Sequence, residues 1–352
     1  AMDLLERARP SLDAASIERA LSLGMRESVA NGLTGVHDAR VNMSVFRAFQ
    51  RLADRGQLPL RITAFADGDG DVLQLLCREG LYQHPSGRLK LRTVKLYADG
   101  ALGSRGAAML EDYSDDHGNR GLLRMSPQAM GKAIAKAKRC GVQVATHAIG
   151  DRGNRQVLDL YQQTLGADAQ RSDHRWRIEH AQVIAAPDLP RLAALHVIAA
   201  VQPTHATSDM PWAEQRIGAQ RINGAYAWRQ LRDSGARLAL GSDFPVESVD
   251  PRLGLYAAVT RADADGKPSG GWHPEEKLTA FEALRGFTLD AAYAGFAENE
   301  VGSLAVGKRA DFVVVEQDPL AVEPRQLRDL HIQATYVDGK IAWDRSRSPP
   351  TK

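Results

Sequence analysis

Cysteine is nearly missing from this sequence. It occurs twice in 352 residues, at Cys77 and Cys140, far apart and without CxxC spacing. A disulfide framework and a zinc–cysteine site are therefore not expected, and a reducing cytoplasm is the default compartment. No apolar run is long enough to span a bilayer and no signal-peptide pattern opens the chain, so no membrane partner is expected. Neither sign of charge dominates: 45 Lys and Arg stand against 43 Asp and Glu, a net charge of +2. Such a balance gives no basic field for nucleic acid. There is no repeat at solenoid spacing and no low-complexity segment before the basic tail at 345–352. A sugar- or phosphate-binding barrel would want a glycine-rich loop late in the chain. Gly241-Ser-Asp-Phe-Pro is not one.

What is present reads as an alternation. Hydrophobic residues at 43% and charged ones at 25% are ordinary for a globular protein, and the length suits a barrel-sized domain plus a smaller one. The spacing predicts a helix over 11–31, capped by Ser11 or Asp13. Strand candidates end near His37, Ala66, Tyr97, His147, His180, Gln202 and Asp243, with amphipathic helices between them. Alternation of this kind argues for a parallel sheet with helical crossovers. His37, Lys95, His147, His180, His205 and Asp243 all fall at or near the C-terminal ends of strands. A (β/α)8 barrel places its chemistry at that mouth, whereas an open doubly wound sheet uses one switch point. From Leu278 the pattern changes to a helix over 279–294 and then to short strands within 302–320 and 332–343, which predicts a small separate sheet.

Lys95 stands between Val94 and Leu96 in a strand. A buried unpaired ammonium costs several kcal/mol, or about 3–5 units of pKa. Lys95 is therefore paired, on an exposed edge, or chemically altered. A single strand-end His is usually a hydrogen-bonded core residue, and an Asp before Phe-Pro is usually a turn. Recurrence changes the weighting here, because imidazoles and carboxylates on successive strand ends suit zinc, manganese or iron.

The stretches GLTGVHDA, VKLYADGALGSRGAA, VATHAIGDRGNRQVLD, RWRIEHAQ, VQPTH, LALGSDFPVES and GSLAVGKRADFVVVEQDP run in order over nearly the whole chain. Together they resemble the amidohydrolase superfamily, in its amidohydrolase-3 branch that includes N-substituted formamide deformylases. The resemblance implies an α/β fold, a (β/α)8 TIM barrel of the metal-dependent hydrolase type over 1–300, with part of an accessory β-sandwich over 301–352. It implies a carboxylated Lys95 bridging two metals, His147 and His180 as ligands from the next two strands, and Asp243 as both ligand and general base. His205 and Arg105 are implied substrate contacts. Asp99 and Asp151 are candidates for fixing ligand orientation, and each reads equally as a turn or cap residue. The implied activity is hydrolysis of a small amide-type substrate. A homodimer is allowed and not required.

The family's first barrel strand carries His-x-His, and no such triplet occurs here. By resemblance the chain starts in the helix before the second barrel strand, which makes it an N-terminally truncated member lacking the first strand. Zinc is the expected ion, one or two in a full-length member and one or none in this chain. An inactive fragment is the competing expectation. The gap between the first and last strands present would leave two ladder edges open, so it is expected to be filled by another segment, a symmetry mate or a refolded N-terminus, or to distort the barrel.

Overall fold

A computed structural model describes residues 12–347. Its strands in chain order are β1 (Gly35–Val41), β2 (Arg61–Asp67), β3 (Tyr82–Gln83), β4 (Leu89–Tyr97), β5 (Gln143–Ala148), β6 (Arg177–His180), β7 (Ile198–Val201) and β8 (Leu238–Leu240). Seven pair in parallel in the order β1-β2-β4-β5-β6-β7-β8, and β3 lies antiparallel against the start of β4. The order never reverses, so there is no switch point, and the winding is that of a barrel.

The strands are apolar and buried along almost their whole length, as parallel strands covered by helices must be. The helices supply the other layer with one greasy face each. Met43–Asp54 buries Phe46, Phe49 and Leu52, and Asn42 caps it by accepting from Val45 N at 3.0 Å. Ser126 caps Pro127–Arg139 in the same way. Asp13 caps the first helix, Ala14–Ala30, while Ser11 lies outside the described residues, as does the end of the basic tail beyond residue 347. The helix expected over 279–294 breaks at Thr288 into Ala280–Phe287 and Leu289–Ala294. The Thr288 hydroxyl bonds back to Leu284 O, and Gly286 sits so close to the Leu240 side chain that a Cβ would lie 2.5 Å from it. The chain turns there to follow the end of β8.

β1 and β8 do not pair with each other. His37 of β1, Lys95 of β4, Glu179 of β6 and Asp243 beyond β8 nevertheless line one cleft of about 480 Å³, so among the described residues the sheet is curled and stops short of closing. The gap expected from the sequence is this cleft. Helix Ala14–Ala30 runs along it, contributing Ala20, Leu21 and Gly24 to the lining.

A second, antiparallel sheet has the order β11-β10-β9, from β9 (Phe312–Val315), β10 (Ile332–Val337) and β11 (Lys340–Asp344). The stretch 302–308, expected to contribute strand, is turn and loop. The Thr335 hydroxyl donates to Val29 O at 2.7 Å, and Gly32 (φ +82°) leaves room for Val313 and Ile332, fixing the sheet on the first helix. Arg61 at the start of β2 forks onto Asp311 (2.6 and 2.8 Å) and reaches Asp338.

Cys77 and Cys140 form a disulfide, contrary to the expectation drawn from their spacing. They are 63 residues apart in sequence, but the C-terminal ends of the helices Asp71–Glu79 and Pro127–Arg139 meet, with the two Cα atoms 4.9 Å apart. Closing a loop of that length is worth about 4 kcal/mol in the chain-entropy picture. Among the described residues, no helix is long and apolar enough to cross a membrane.

Candidate metal centre

Each chemical group at the mouth arrives on the end of a strand. His147 ends β5, and its ring centroid lies 4.6 Å from that of His180, which ends β6. His205 sits in the helix Pro203–Asp209 after β7 and stacks on His180 at 5.6 Å. Asp243 follows β8, with Oδ2 3.8 Å from His205 Nε2. One donor atom each from His180, His205 and Asp243 lies within 4.8 Å of the others.

Two features mark this group as built for something besides packing. His180 Nδ1 and His205 Nε2 are buried without a hydrogen-bond partner, and a buried polar nitrogen left unpaired costs about 1–3 kcal/mol. His180 (φ +75°) and Asp243 (φ +60°) also hold left-handed backbone, which costs about 1–3 kcal/mol each and clusters at functional sites. Burial drives both imidazoles toward the neutral form: His205 falls to about 4 and His180 well below the usual value. A neutral imidazole keeps the lone pair a cation needs.

Lys95 lies on an inner strand, 6% exposed, so the edge-strand reading does not hold. Among the described residues its amine has no carboxylate within ion-pair distance, and burial lowers its pKa while Glu179 and Asp243 pull the other way. The amine faces the same cleft as His180 and Asp243. Burial raises the Asp243 pKa, and the Lys95 charge opposes that rise.

His147 is turned differently. Its Nε2 points at Gly100 O (3.4 Å) and Asp99 Oδ1 (3.5 Å), and burial, then the Lys95 charge, push its pKa down to about 3. Asp99 is fully buried and accepts from the N–H groups of Ala108, Ile149 and Gly150 at 2.8–3.0 Å. Burial pushes the Asp99 carboxyl up to about 7 against those three donors. A Cβ on Gly153 would stand 2.6 Å from it, so only glycine fits there. Asp151 accepts from Leu110 N at 2.7 Å and ties the same loop to the helix Asp151–Leu165. Arg105 is at the rim, forked onto Asp115 at 3.0–3.1 Å, and does not join the histidine group.

Below the mouth lies a network that sequence reasoning missed. Arg177 pairs with Glu179 at 2.5 Å and contacts His37 Nδ1 at 3.0 Å, all three within the curl. The signal was available: residues two apart on one strand share a face, so Arg177 and Glu179 had to point inward together. His205 was read as a substrate contact, yet its position lets it serve as a third donor beside His180 and Asp243.

An amidohydrolase family profile matches residues 1–342. The chain belongs to the amidohydrolase family. It is 32% identical to the putative amidohydrolase YtcJ of Bacillus subtilis over 98% of its own length and 65% of that protein. It is 29% identical to the N-substituted formamide deformylase of Arthrobacter pascens, covering 92% of itself and 60% of that enzyme. Among solved structures, an uncharacterised metal-dependent hydrolase from Pyrococcus horikoshii superposes with a TM-score of 0.79 at 29% identity, covering 89% of this chain and 62% of the other. The chain thus spans less than two thirds of the length of these relatives. The metal that the family implies fits the residues found here: two orphaned, neutral imidazole nitrogens and a carboxylate converge, a donor set that suits zinc.

Proposed function

We propose that this chain carries the ligand-bearing core of a zinc-dependent hydrolase that cleaves an amide or related C–N bond in a small molecule. The convergence of His180, His205 and Asp243 within 4.8 Å, with two imidazole nitrogens left unpaired, carries this reading. His147, His180 and Asp243 would hold the ion or ions, and His205 would add a donor. The Lys95 amine, once it has given up its ammonium proton, would add CO2 and release one more, giving a carbamate able to join the donor set. The chemistry a divalent ion would supply there is Lewis-acid activation of water and of the substrate carbonyl. Asp243 takes the proton from the attacking water and passes it to the leaving nitrogen. Asp99 fixes the His147 ring and Asp151 the loop beside it. Arg105, on the rim, meets the outer part of the substrate.

N-substituted formamides, the class in the name of the Arthrobacter pascens relative, are the first substrates to assay. Asp243→Asn keeps a residue type that tolerates positive φ. It should cut turnover by about 10²–10⁴-fold while zinc stays bound to the Lys95 side of the site. Equal loss of zinc and turnover would remove Asp243 from the role of base. The open cleft between β1 and β8 favours a second reading, an inert scaffold. Zinc content of the purified protein separates the two, since the scaffold should hold none.

A further inference from the structure

Arginines around the mouth are almost all engaged. Arg105 and Arg216 both pair with Asp115, Arg120 pairs with Asp112, and Arg40 pairs with Asp67. Arg124 differs. Its backbone N–H is fixed to Ala98 O at 2.8 Å, which holds the residue at the end of β4. Its side chain is exposed and, among the described residues, makes no hydrogen bond and no ion pair. Its guanidinium carbon lies 5.7 Å from the centre of the Tyr97 ring, and its charge is felt at His147.

Tyr97 links this cation to the centre. Its ring lies 6.1 Å from the His147 ring, and Lys95 Nζ stands 5.5 Å from the same ring. The Tyr97 hydroxyl is held toward Asp67, whose charge Arg40 already offsets. A guanidinium is a planar fork matched to a carboxylate, and it is costly for binding only when it must first give up another partner.

We propose that Arg124, braced on the Tyr97 ring, is an anion subsite that selects amides carrying a carboxylate a few bonds from the scissile carbonyl. The proposal rests on the hydrolase reading for the identity of the reacting group, but the subsite itself is defined by charge and position. A single guanidinium fits a carboxylate better than a dianionic phosphate, which gathers several cations.

The test is calorimetric titration with N-acetylglycine and its uncharged methylamide, on the zinc-loaded and the chelator-treated protein. The wild type should bind the carboxylate about 10-fold tighter than the methylamide. Arg124→Gln should bring that ratio to about one, Arg124→Lys should keep part of it, and Arg139→Gln, at the far end of the barrel, should leave it intact. Circular dichroism checks that each variant is folded. A wild-type ratio near one, undetectable carboxylate binding, or a ratio unchanged by Arg124→Gln overturns the proposal. A preference that survives in Arg124→Gln and disappears with chelator is direct binding to metal, and overturns it too. Because binding is read without turnover, an intact ratio with no hydrolysis of any amide would sink the hydrolase reading and leave the subsite standing.

Discussion

The two ends of the curled sheet handle polar groups in opposite ways. At the floor, where strands begin, Arg175 satisfies itself completely: it forks onto Glu298 and Asp173, donates to Tyr293 O, and stacks on Tyr293 (3.8 Å) and Phe296 (4.3 Å). Arg237 covers Tyr293 at 3.9 Å and pairs with Asp290. Even Arg92, whose Nε lacks a partner, lies 3.5 Å over Phe296. At the mouth, where strands end, His180 and His205 each bury a ring nitrogen with no hydrogen-bond partner. Satisfied charge braces a fold, and unsatisfied lone pairs are reserved for a ligand. The contrast teaches which end is for stability and which for chemistry without reference to any relative.

If that division holds, substitutions at the two ends should separate metal binding from stability. His180→Asn, which keeps a residue tolerant of positive φ, should weaken zinc binding by at least about 100-fold with little change in the urea midpoint. A large loss of stability would make His180 a packing residue instead. Arg175→Ala should do the reverse, costing about 3 kcal/mol in urea unfolding, chiefly by leaving the partly buried Glu298 unpaired while solvent screens the exposed Asp173, with zinc affinity unmoved. The smallest effect is a pH effect at the floor. Burial pushes the Asp338 carboxyl up, but Arg61, Arg309 and Arg88 more than reverse this and hold it at about 2, below its ordinary 3.8. Its contribution is therefore present above about pH 4 and lost as pH falls toward 2. Asp338→Asn should flatten the thermal midpoint over that window, by about 1 kcal/mol after solvent screening. An identical acid profile in the variant would show that the Arg61 cluster contributes nothing.

The winding was legible because it rests on local rules. Caps such as Ser126 and Asn42, apolar strand cores and strand-end histidines are each written within a few residues. What escaped depended on distance in space. The pairing of Cys77 with Cys140 needed the ends of two crossover helices to meet. The close approach of Gly286 to Leu240, two residues before the break at Thr288, and the place of His205 beside Asp243 both depend on how far the curl closes. Lys95 was conspicuous in sequence, but its burial, with the charges of Glu179 and Asp243 acting on it, is a fact of three dimensions.

Asp243 and His180 hang from unlike supports. Among the described residues β6 is laced to a neighbour on both sides, whereas β8 is laced only to β7 and its other edge borders the cleft. A strand anchored along one margin swings more readily than one anchored along two. The span of the donor triangle is then governed by a hinged flap facing a fixed wall, and a cation seated there would act as the latch between them.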